Sequence, residues 1–410
     1  MMEEATKASS PSSSSAAAAA AAAGEEEEVW SWGAGTDGQL GTGRLADEHL
    51  PRLLSLSLPS SISLLACGGA HVIALSSGGR VFSWGRGSSG QLGHGEAATN
   101  CLTPKAVTSL EGYFIAGVSA GWSHSGFVSD TGCLFTCGDG SFGQLGHGNL
   151  ESCSSPIEVS YFLSKHVDQI ACGMRHSLVL LKGDPNNRVY GFGSCKRGQL
   201  GPTSNRTRST SLPQAIQGLE NIEIVSVVAS GDHSAALSSG GRVYNWGRGF
   251  PGFSDVHSPI ELSSLLRIKQ IALGWNHALV LTDGGEALIL GGNRHGVLGN
   301  LENLGLTNHR PDVSALVLER VPGLDGKKVM QIAAGAEHSA LVTEDMEVMT
   351  WGWGEHGQLG LGSTCDWIEP QRVSLGHTLP DHWAKCSIYC GSGFTFVIRS
   401  RTSSGPHQDD

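Results

Sequence analysis

The stretch Trp84–Gly93 reads WGRGSSGQLG, and it decides the fold because the chain repeats it. Close copies begin at positions 32, 137, 192 and 351, and two weaker copies begin at 246 and 290. The seven starts are separated by 52, 53, 55, 54, 44 and 61 residues. Recurrence of one motif at this spacing is typical of proteins built from a single repeated structural unit.

Each unit carries further landmarks at nearly constant distances from the motif. A proline follows each copy, at positions 51, 104, 156, 213, 259, 311 and 370. A histidine precedes the next copy, by 13 residues in most units: His71, His124, His176, His233, His277 and His338. Phe394 takes this place near the end of the chain. Such constant spacing indicates that every unit follows the same backbone path.

The segment from the histidine to the next motif predicts a β-hairpin. In His71–Trp84, two short apolar runs flank Ser-Ser-Gly-Gly, and glycine supplies the positive φ that such a turn requires. The motif glycines then let the backbone bend sharply. We expect the proline to open another strand, where a missing amide donor is tolerated, and a further apolar run to complete the unit. Each unit therefore predicts about four strands and no long helix.

Seven such units predict an all-β protein, a seven-bladed β-propeller, because radial closure protects sheet edges that a linear array would expose. The chain starts within a unit, since Val29–Trp32 matches Val81–Trp84, and Ile388–Ile398 supplies the half-unit that precedes such a strand. We expect these two ends to pair and close the ring. The expected organisation is a disordered Ser/Ala-rich acidic leader over 1–27, the propeller over 28–400 and a short polar tail over 401–410.

Composition limits the classes of partner and compartment. Only 16% of the residues are charged and the formal net charge is −11, which argues against direct DNA binding through the overall field. No apolar run reaches the length of a membrane span. The ten cysteines include no Cys-x-x-Cys pair, which favours buried reduced thiols in a cytoplasmic or nuclear protein.

The sequence contains no recognisable catalytic constellation. The Gly-x-Gly-x-x-Gly inside each motif has no following helix and recurs throughout the chain, so it does not predict a nucleotide site. One histidine per unit places the histidines around the ring, where we expect an imidazole nitrogen to bond a backbone group between strands. We therefore predict no catalytic residue, no metal and no cofactor.

The motif WGxGxxGQLG, with Gly-x-x-His some 13 residues before it, resembles the repeat of the RCC1 family (regulator of chromosome condensation) over residues 28–400. The resemblance implies a seven-bladed propeller with a protein partner. Some members are guanine-nucleotide exchange factors for a small GTPase, one plant member is an ultraviolet-B photoreceptor, and many others are interaction modules. Three functions follow as hypotheses: an interaction module that regulates a small GTPase, an exchange factor, or a light sensor.

Two tryptophans bear on the last hypothesis. Trp122 and Trp275 stand in Gly-Trp-Ser-His and Gly-Trp-Asn-His, which are similar to the Gly-Trp-Arg-His-Thr phrase of the ultraviolet-B receptor. That receptor carries its phrase on three successive blades, with arginines that hold a dimer. Here the units between the two tryptophans have Met174 and Gly231, and arginine survives only as Arg175. The incomplete phrases disfavour these tryptophans as chromophores.

The variable positions of the motif are the better candidates for a binding site. They follow glycines that bend the chain at one rim of the ring, so we expect their side chains to face solvent, on loops that a rigid scaffold holds in place. An alternative is a solvated polar rim with no partner. The predicted partner-binding rim comprises Arg86, Asp139, Lys196, Arg197, Arg248, Arg294 and Glu355.

Overall fold

The computed structural model describes residues 27–401 except 57, 96–98, 184–187, 203–207, 251–253, 263, 293–294, 298–317 and 377–382. Over these residues the chain forms seven four-stranded antiparallel sheets. The predicted seven-bladed propeller is confirmed. The predicted leader and tail lie outside the described residues, apart from Glu27 and Arg401.

The first three complete blades follow one another along the chain, and their strands run from the central axis outward. Blade 1 consists of β3 (Ile62–Cys67), β4 (His71–Ser76), β5 (Val81–Gly85) and β6 (Cys101–Ala106). Blade 2 consists of β7 (Ile115–Ala120), β8 (His124–Ser129), β9 (Leu134–Gly138) and β10 (Cys153–Glu158). Blade 3 consists of β11 (Val167–Cys172), β12 (His176–Leu181), β13 (Val189–Ser194) and β14 (Ser209–Ala215).

The next three blades keep this order. Blade 4 consists of β15 (Ile224–Ser230), β16 (His233–Ser238), β17 (Val243–Gly247) and β18 (Val256–Glu261). Blade 5 consists of β19 (Ile268–Leu273), β20 (His277–Thr282), β21 (Ala287–Gly291) and β22 (Glu319–Arg320). Blade 6 consists of β23 (Val329–Ala334), β24 (His338–Thr343), β25 (Val348–Gly352) and β26 (Trp367–Arg372). Short 3₁₀ turns at Thr108–Leu110 and Ser160–Phe162 link blades 1 to 2 and 2 to 3.

Blade 7 is built from both ends of the chain. Its inner strands are β27 (Trp383–Cys390) and β28 (Phe394–Arg401), and its outer strands are β1 (Glu27–Gly33) and β2 (Glu48–Leu53). Strand β1 pairs antiparallel with β28 along its whole length, with Ser31 opposite Phe396. The predicted closure of the ring by N- and C-terminal strands therefore holds.

The hydrophobic core lies between neighbouring blades. Every residue of β4 is buried, because a blade covers each of its faces, and this explains its nearly continuous apolar run. Trp84 of β5 is fully buried and its indole Nε1 donates to the backbone oxygen of Gln39 in blade 7 at 2.9 Å. Equivalent bonds to the preceding blade are made by Trp32, Trp246 and Trp351.

The repeat prolines occupy a different position from the one predicted. Pro104 lies in the middle of β6, the outermost strand of its blade, and not at the strand start. An outermost strand has no partner on its free edge, so the missing amide donor is tolerated there. The prolines at 51, 156, 213, 259 and 370 likewise lie inside outermost strands, and Pro311 lies outside the described residues.

Glycine is required in the hairpin turns, as predicted. Gly79, between β4 and β5, has a φ of +73°, which residues with a Cβ rarely adopt. A Cβ at this glycine would also lie only 2.7 Å from the ring of Phe114, which belongs to the link into blade 2. The turn glycine thus serves both the hairpin and the packing of the next blade.

Candidate functional site

The two faces of the ring carry different structures. Because neighbouring strands are antiparallel, the first and third strands of every blade end on the same face. This face carries the Gly-x-x-His turns near the axis and the motif loops farther out, and we name it the turn face. The opposite face carries the hairpins between second and third strands and the links between blades, and we name it the hairpin face.

The repeat histidines form a belt beneath the turn face, each reaching into the next blade. Five of them bond a hydroxyl oxygen through Nε2 at 2.9–3.0 Å, in the pairs His71–Ser125, His124–Ser177, His176–Ser234, His277–Ser339 and His338–Thr395. Only His233 bonds a backbone group, the oxygen of Trp275 at 2.8 Å. The predicted backbone partner is therefore correct for one histidine and wrong for five.

The hydrogen bonds fix the protonation state of this histidine belt. Ser125 donates its only hydroxyl proton to the backbone oxygen of Gln91 at 2.7 Å, so it must accept a proton from Nε2 of His71. The ring is then neutral, with Nδ1 bare and buried without a partner. Burial lowers the pKa of His71 to about 3 and that of His124 to about 4. The belt is suited to joining blades and not to acid–base chemistry.

A second ring of bonds joins the Gly-x-x-His turns around the axis. In each, a backbone N–H donates to a backbone oxygen of the following blade, in the pairs Gly69–Gly121, Trp122–Gly173, Met174–Gly231, Trp275–Ala336, Ala336–Ser392 and Ser392–Gly68. The His233–Trp275 bond completes the circle between blades 4 and 5. The mouth of the central channel is consequently a rigid structure.

Trp122 and Trp275 cover this mouth. Their ring centroids lie 5.2 Å apart with planes at 50°, although they come from blades 2 and 5. Both line the central channel, whose volume is about 420 Å³. Gly69 of blade 1 makes room for Trp122, since a Cβ there would lie 2.8 Å from Cε3 of the indole. The pair forms a partly exposed aromatic platform at the centre of the turn face.

The motif loops around this platform are held in place by their buried glutamines. In blade 3, Oε1 of Gln199 accepts the backbone N–H of Arg197 at 2.8 Å. The backbone oxygen of Gln199 accepts the indole N–H of Trp246 at 2.9 Å and the hydroxyl of Ser234 at 2.8 Å, both from blade 4. Each loop is therefore fixed internally and against the next blade, which preorganises its exposed side chains.

Several charged groups of the turn face form ion pairs between blades. Arg86 makes two bonds to the carboxylate of Asp37, at 3.0 and 2.7 Å. Arg197 lies 3.0 Å from Asp255. Two histidines of the motif loops form hydrogen bonds between blades: Nδ1 of His356 lies 3.0 Å from Asp47 and Nδ1 of His295 lies 2.9 Å from Asp366. These partly exposed pairs orient the loops more than they stabilise the fold.

The described residues of the predicted rim all lie on motif loops of the turn face, with different degrees of exposure. Lys196, Arg197 and Glu355 are exposed, as expected. Arg86, Asp139 and Arg248 are half-buried, and Asp139 accepts the side-chain amide of Gln144 at 3.1 Å. Arg294 lies outside the described residues. A role of these side chains in binding stays a prediction.

Three buried-strand glutamines were not singled out from the sequence, although they join neighbouring blades near the axis. The side-chain amide of Gln169 donates to the Val227 oxygen at 3.1 Å, and its Oε1 accepts the Val227 N–H at 2.9 Å. Gln270 and Gln331 clamp Ile332 and Ile388 in the same way. The recurring pattern of β-branched residue, any residue, Gln, Ile in β11, β19 and β23 is the signal that could have revealed them.

The cysteines and other possible metal ligands are dispersed. All ten cysteines are free thiols, and Cys67, Cys172 and Cys390 line the central channel. Burial raises the pKa of Cys172 and of Cys390 to about 12, so these thiols stay protonated. In the part of the chain that the structure describes, no three His, Cys, Asp or Glu side chains converge as metal ligands. No helix within the same residues is both apolar enough and long enough for a membrane crossing.

The repeat and its geometry agree with the comparison to known sequences. Residues 14–397 match the RCC1-like domain. The chain belongs to the RCC1-like domain family. It is 31% identical to the ultraviolet-B receptor UVR8 of Arabidopsis thaliana over 84% of this chain and 76% of the receptor. It is 30% identical to the secretion-regulating guanine nucleotide exchange factor of Mus musculus over 90% of this chain and 83% of that protein.

Solved structures share the fold, including that of a yeast RCC1. Prp20p from Saccharomyces cerevisiae, a yeast RCC1, superimposes with a TM-score of 0.79 at 24% identity and covers 93% of both chains. Human WBSCR16 superimposes with a TM-score of 0.76 at 25% identity, over 92% of this chain and all of that one. The RCC1-like family thus includes a relative of similar length that is named as a nucleotide exchange factor.

Proposed function

We propose that this propeller is a protein-interaction module of the cytoplasm or nucleus that regulates a small GTPase by binding it on the turn face. The observation that carries the proposal is the Trp122–Trp275 platform, ringed by fixed loops with exposed charged side chains. Protein interfaces favour a partly apolar, aromatic centre inside a polar rim. The exchange factor of Mus musculus, similar over most of this chain, supports a GTPase as the partner.

The finer proposal is that the propeller accelerates nucleotide exchange. Exchange requires no proton transfer and no nucleophile, because the factor need only bind the nucleotide-free GTPase more tightly than the loaded form. The buried glutamines that hold the motif loops suit this task, since a preorganised surface loses little conformational entropy on binding. Arg197, Lys196 and Glu355 are the exposed side chains we assign to the contact.

A nucleotide-release assay tests the proposal. Small GTPases loaded with a fluorescent guanine nucleotide are mixed with micromolar propeller and excess unlabelled nucleotide, and the fluorescence decay is followed. We expect one GTPase of the panel to release its nucleotide faster, and the acceleration to fall when Arg197 and Arg248 are changed to Glu. If the propeller accelerates nucleotide release from no GTPase of the panel, exchange is refuted. If affinity capture with the double variant recovers the same partners as the wild type, the assigned rim is refuted.

A further inference from the structure

Charge is distributed unevenly over the turn face. On the turn face, blade 3 exposes three cations that have no ion-pair partner among the described residues: Arg175, Lys196 and Arg208. Arg197 lies on the same blade and Arg248 on blade 4, and Arg197 is still 46% exposed within its ion pair. We name Arg175, Lys196, Arg197, Arg208 and Arg248 the basic sector. It stands out in a chain whose net charge is −11.

The basic sector adjoins the aromatic platform. The guanidinium of Arg175 lies over the ring of Phe142, 4.9 Å from its centroid. Arg175 follows Met174, which lines the channel mouth together with Trp122 and Trp275. The cation–π contact restrains an otherwise mobile arginine, which reduces the entropy lost when it binds a ligand. Tryptophan, methionine and arginine are the residues enriched in the energetically important parts of interfaces.

The corresponding positions on blades 6 and 7 have the opposite character. Glu355 is exposed and accepts the indole N–H of Trp353 at 3.2 Å. Asp47 and Asp366 are held by His356 and His295. Glu337 is buried and accepts a bond from Asn276. Among the described residues of the turn face, the exposed cations without an ion-pair partner therefore cluster on blade 3 beside the platform, and Arg44 on the outer loop of blade 7 stands alone. This cluster favours an anionic ligand.

We propose that the basic sector and the Trp122–Trp275 platform recognise an acidic segment of a partner protein, with an aromatic side chain of that segment seated on the tryptophan pair. Carboxylates complement the unpaired cations, and the apolar centre requires a partner that brings apolar surface. A nucleic acid carries a negative charge on every nucleotide, so a chain of net charge −11 repels it more than it repels a short segment with a few carboxylates. This inference rests on the proposed function for the choice of face, but it does not depend on the nucleotide state of the partner.

The experiment uses the full chain and a fluorescein-labelled peptide of glutamates around one central tryptophan, with binding followed by fluorescence anisotropy. We expect saturable binding that weakens as salt rises. Changing Arg175 and Lys196 together to Glu should raise Kd by about tenfold or more, because attraction becomes repulsion at two positions. The matched control changes Arg80 and Arg267 to Glu, which alters the net charge equally on the hairpin face.

Each outcome decides the inference. Loss of affinity in the turn-face variant alone supports it. An equal loss of peptide affinity in both variants would show that the peptide responds only to overall charge, and this would overturn the inference. Tighter binding of a single-stranded DNA oligonucleotide than of a peptide of the same charge would overturn it too. A glutamate peptide without tryptophan that binds equally well overturns the role of the platform. Because no GTPase is present, a negative nucleotide-release assay beside positive peptide binding would refute exchange and leave this inference standing.

Discussion

The histidine belt predicts that the propeller loses stability at mildly acidic pH. Burial lowers the pKa of His71, His176 and His338 to about 3 and of His124 and His277 to about 4. In the unfolded chain these rings regain a pKa of about 6.5. Between pH 6.5 and 4 the unfolded state therefore binds protons that the folded state does not bind. The contribution of these histidines to the free energy of unfolding is full above pH 6.5 and is lost as the pH drops toward 4.

The size of the effect follows from linkage. Between pH 7.5 and 5.5 each such histidine costs about 1.4 kcal/mol, and five together cost about 7 kcal/mol. This is comparable with the whole free energy of unfolding of many domains, about 5–15 kcal/mol. Near pH 5.5 the unfolded chain should bind between about four and five more protons than the folded chain.

Urea unfolding, followed by the fluorescence of the buried tryptophans, measures this dependence. We expect the free energy of unfolding to fall steeply from pH 7 to 5.5. In His124→Gln the slope of this free energy against pH should correspond to about one proton fewer taken up on unfolding. Glutamine retains a side-chain N–H that can reach Ser177, so the variant should fold. A free energy of unfolding that does not change between pH 7 and 5.5 would refute the assignment of neutral, inaccessible imidazoles.

Three further predictions follow from the packing. Trp84→Phe removes the bond to Gln39 and should destabilise the fold by about 1–3 kcal/mol in urea unfolding, since a buried oxygen loses its donor; an unchanged midpoint would contradict the role of this bond. Gly69→Val should displace Trp122, whose Cε3 a Cβ would approach to 2.8 Å, and weaken peptide binding more than it lowers the melting temperature; unaltered affinity would separate the platform from the binding site. Ultraviolet-B illumination during size-exclusion chromatography should leave the elution volume unchanged, because Arg175 packs on Phe142 and the other arginines of the receptor phrase are missing. A shift in the elution volume would support photoreception instead.

Much of the fold could be predicted because every unit repeats the same landmarks. Seven copies of one motif set the number of blades, and the half-units at Val29 and Ile388 predicted how the ring closes. The predictions that were wrong concern features that depend on contacts between units. Pro104 lies inside an edge strand because the free edge, and not the strand start, tolerates a missing donor.

The candidate site was harder to predict for the same reason. His71 bonds Ser125, which stands 54 residues later in the next unit. The recurring His-Ser dipeptide marks the serine, but only the ring geometry shows that it bonds the histidine of the preceding blade. Trp122 and Trp275 meet only because the ring brings blades 2 and 5 together at a narrow mouth. The burial of Arg86 by Asp37 likewise depends on a neighbouring blade. Spacing along a chain reports the path within one unit and contains little information about its neighbours.

Binding of a small GTPase to defined surfaces of the propeller tests the proposed role most directly. Wild-type protein, a turn-face variant with Lys196 and Arg197 changed to Glu, and a hairpin-face variant with Arg267 changed to Glu are titrated against each GTPase, both nucleotide-free and GTP-loaded. We predict that one nucleotide-free GTPase binds the wild type about a hundredfold more tightly than its loaded form, and that only the turn-face variant loses this preference. Equal affinity for both forms, or loss of binding through the hairpin-face variant, would contradict the account.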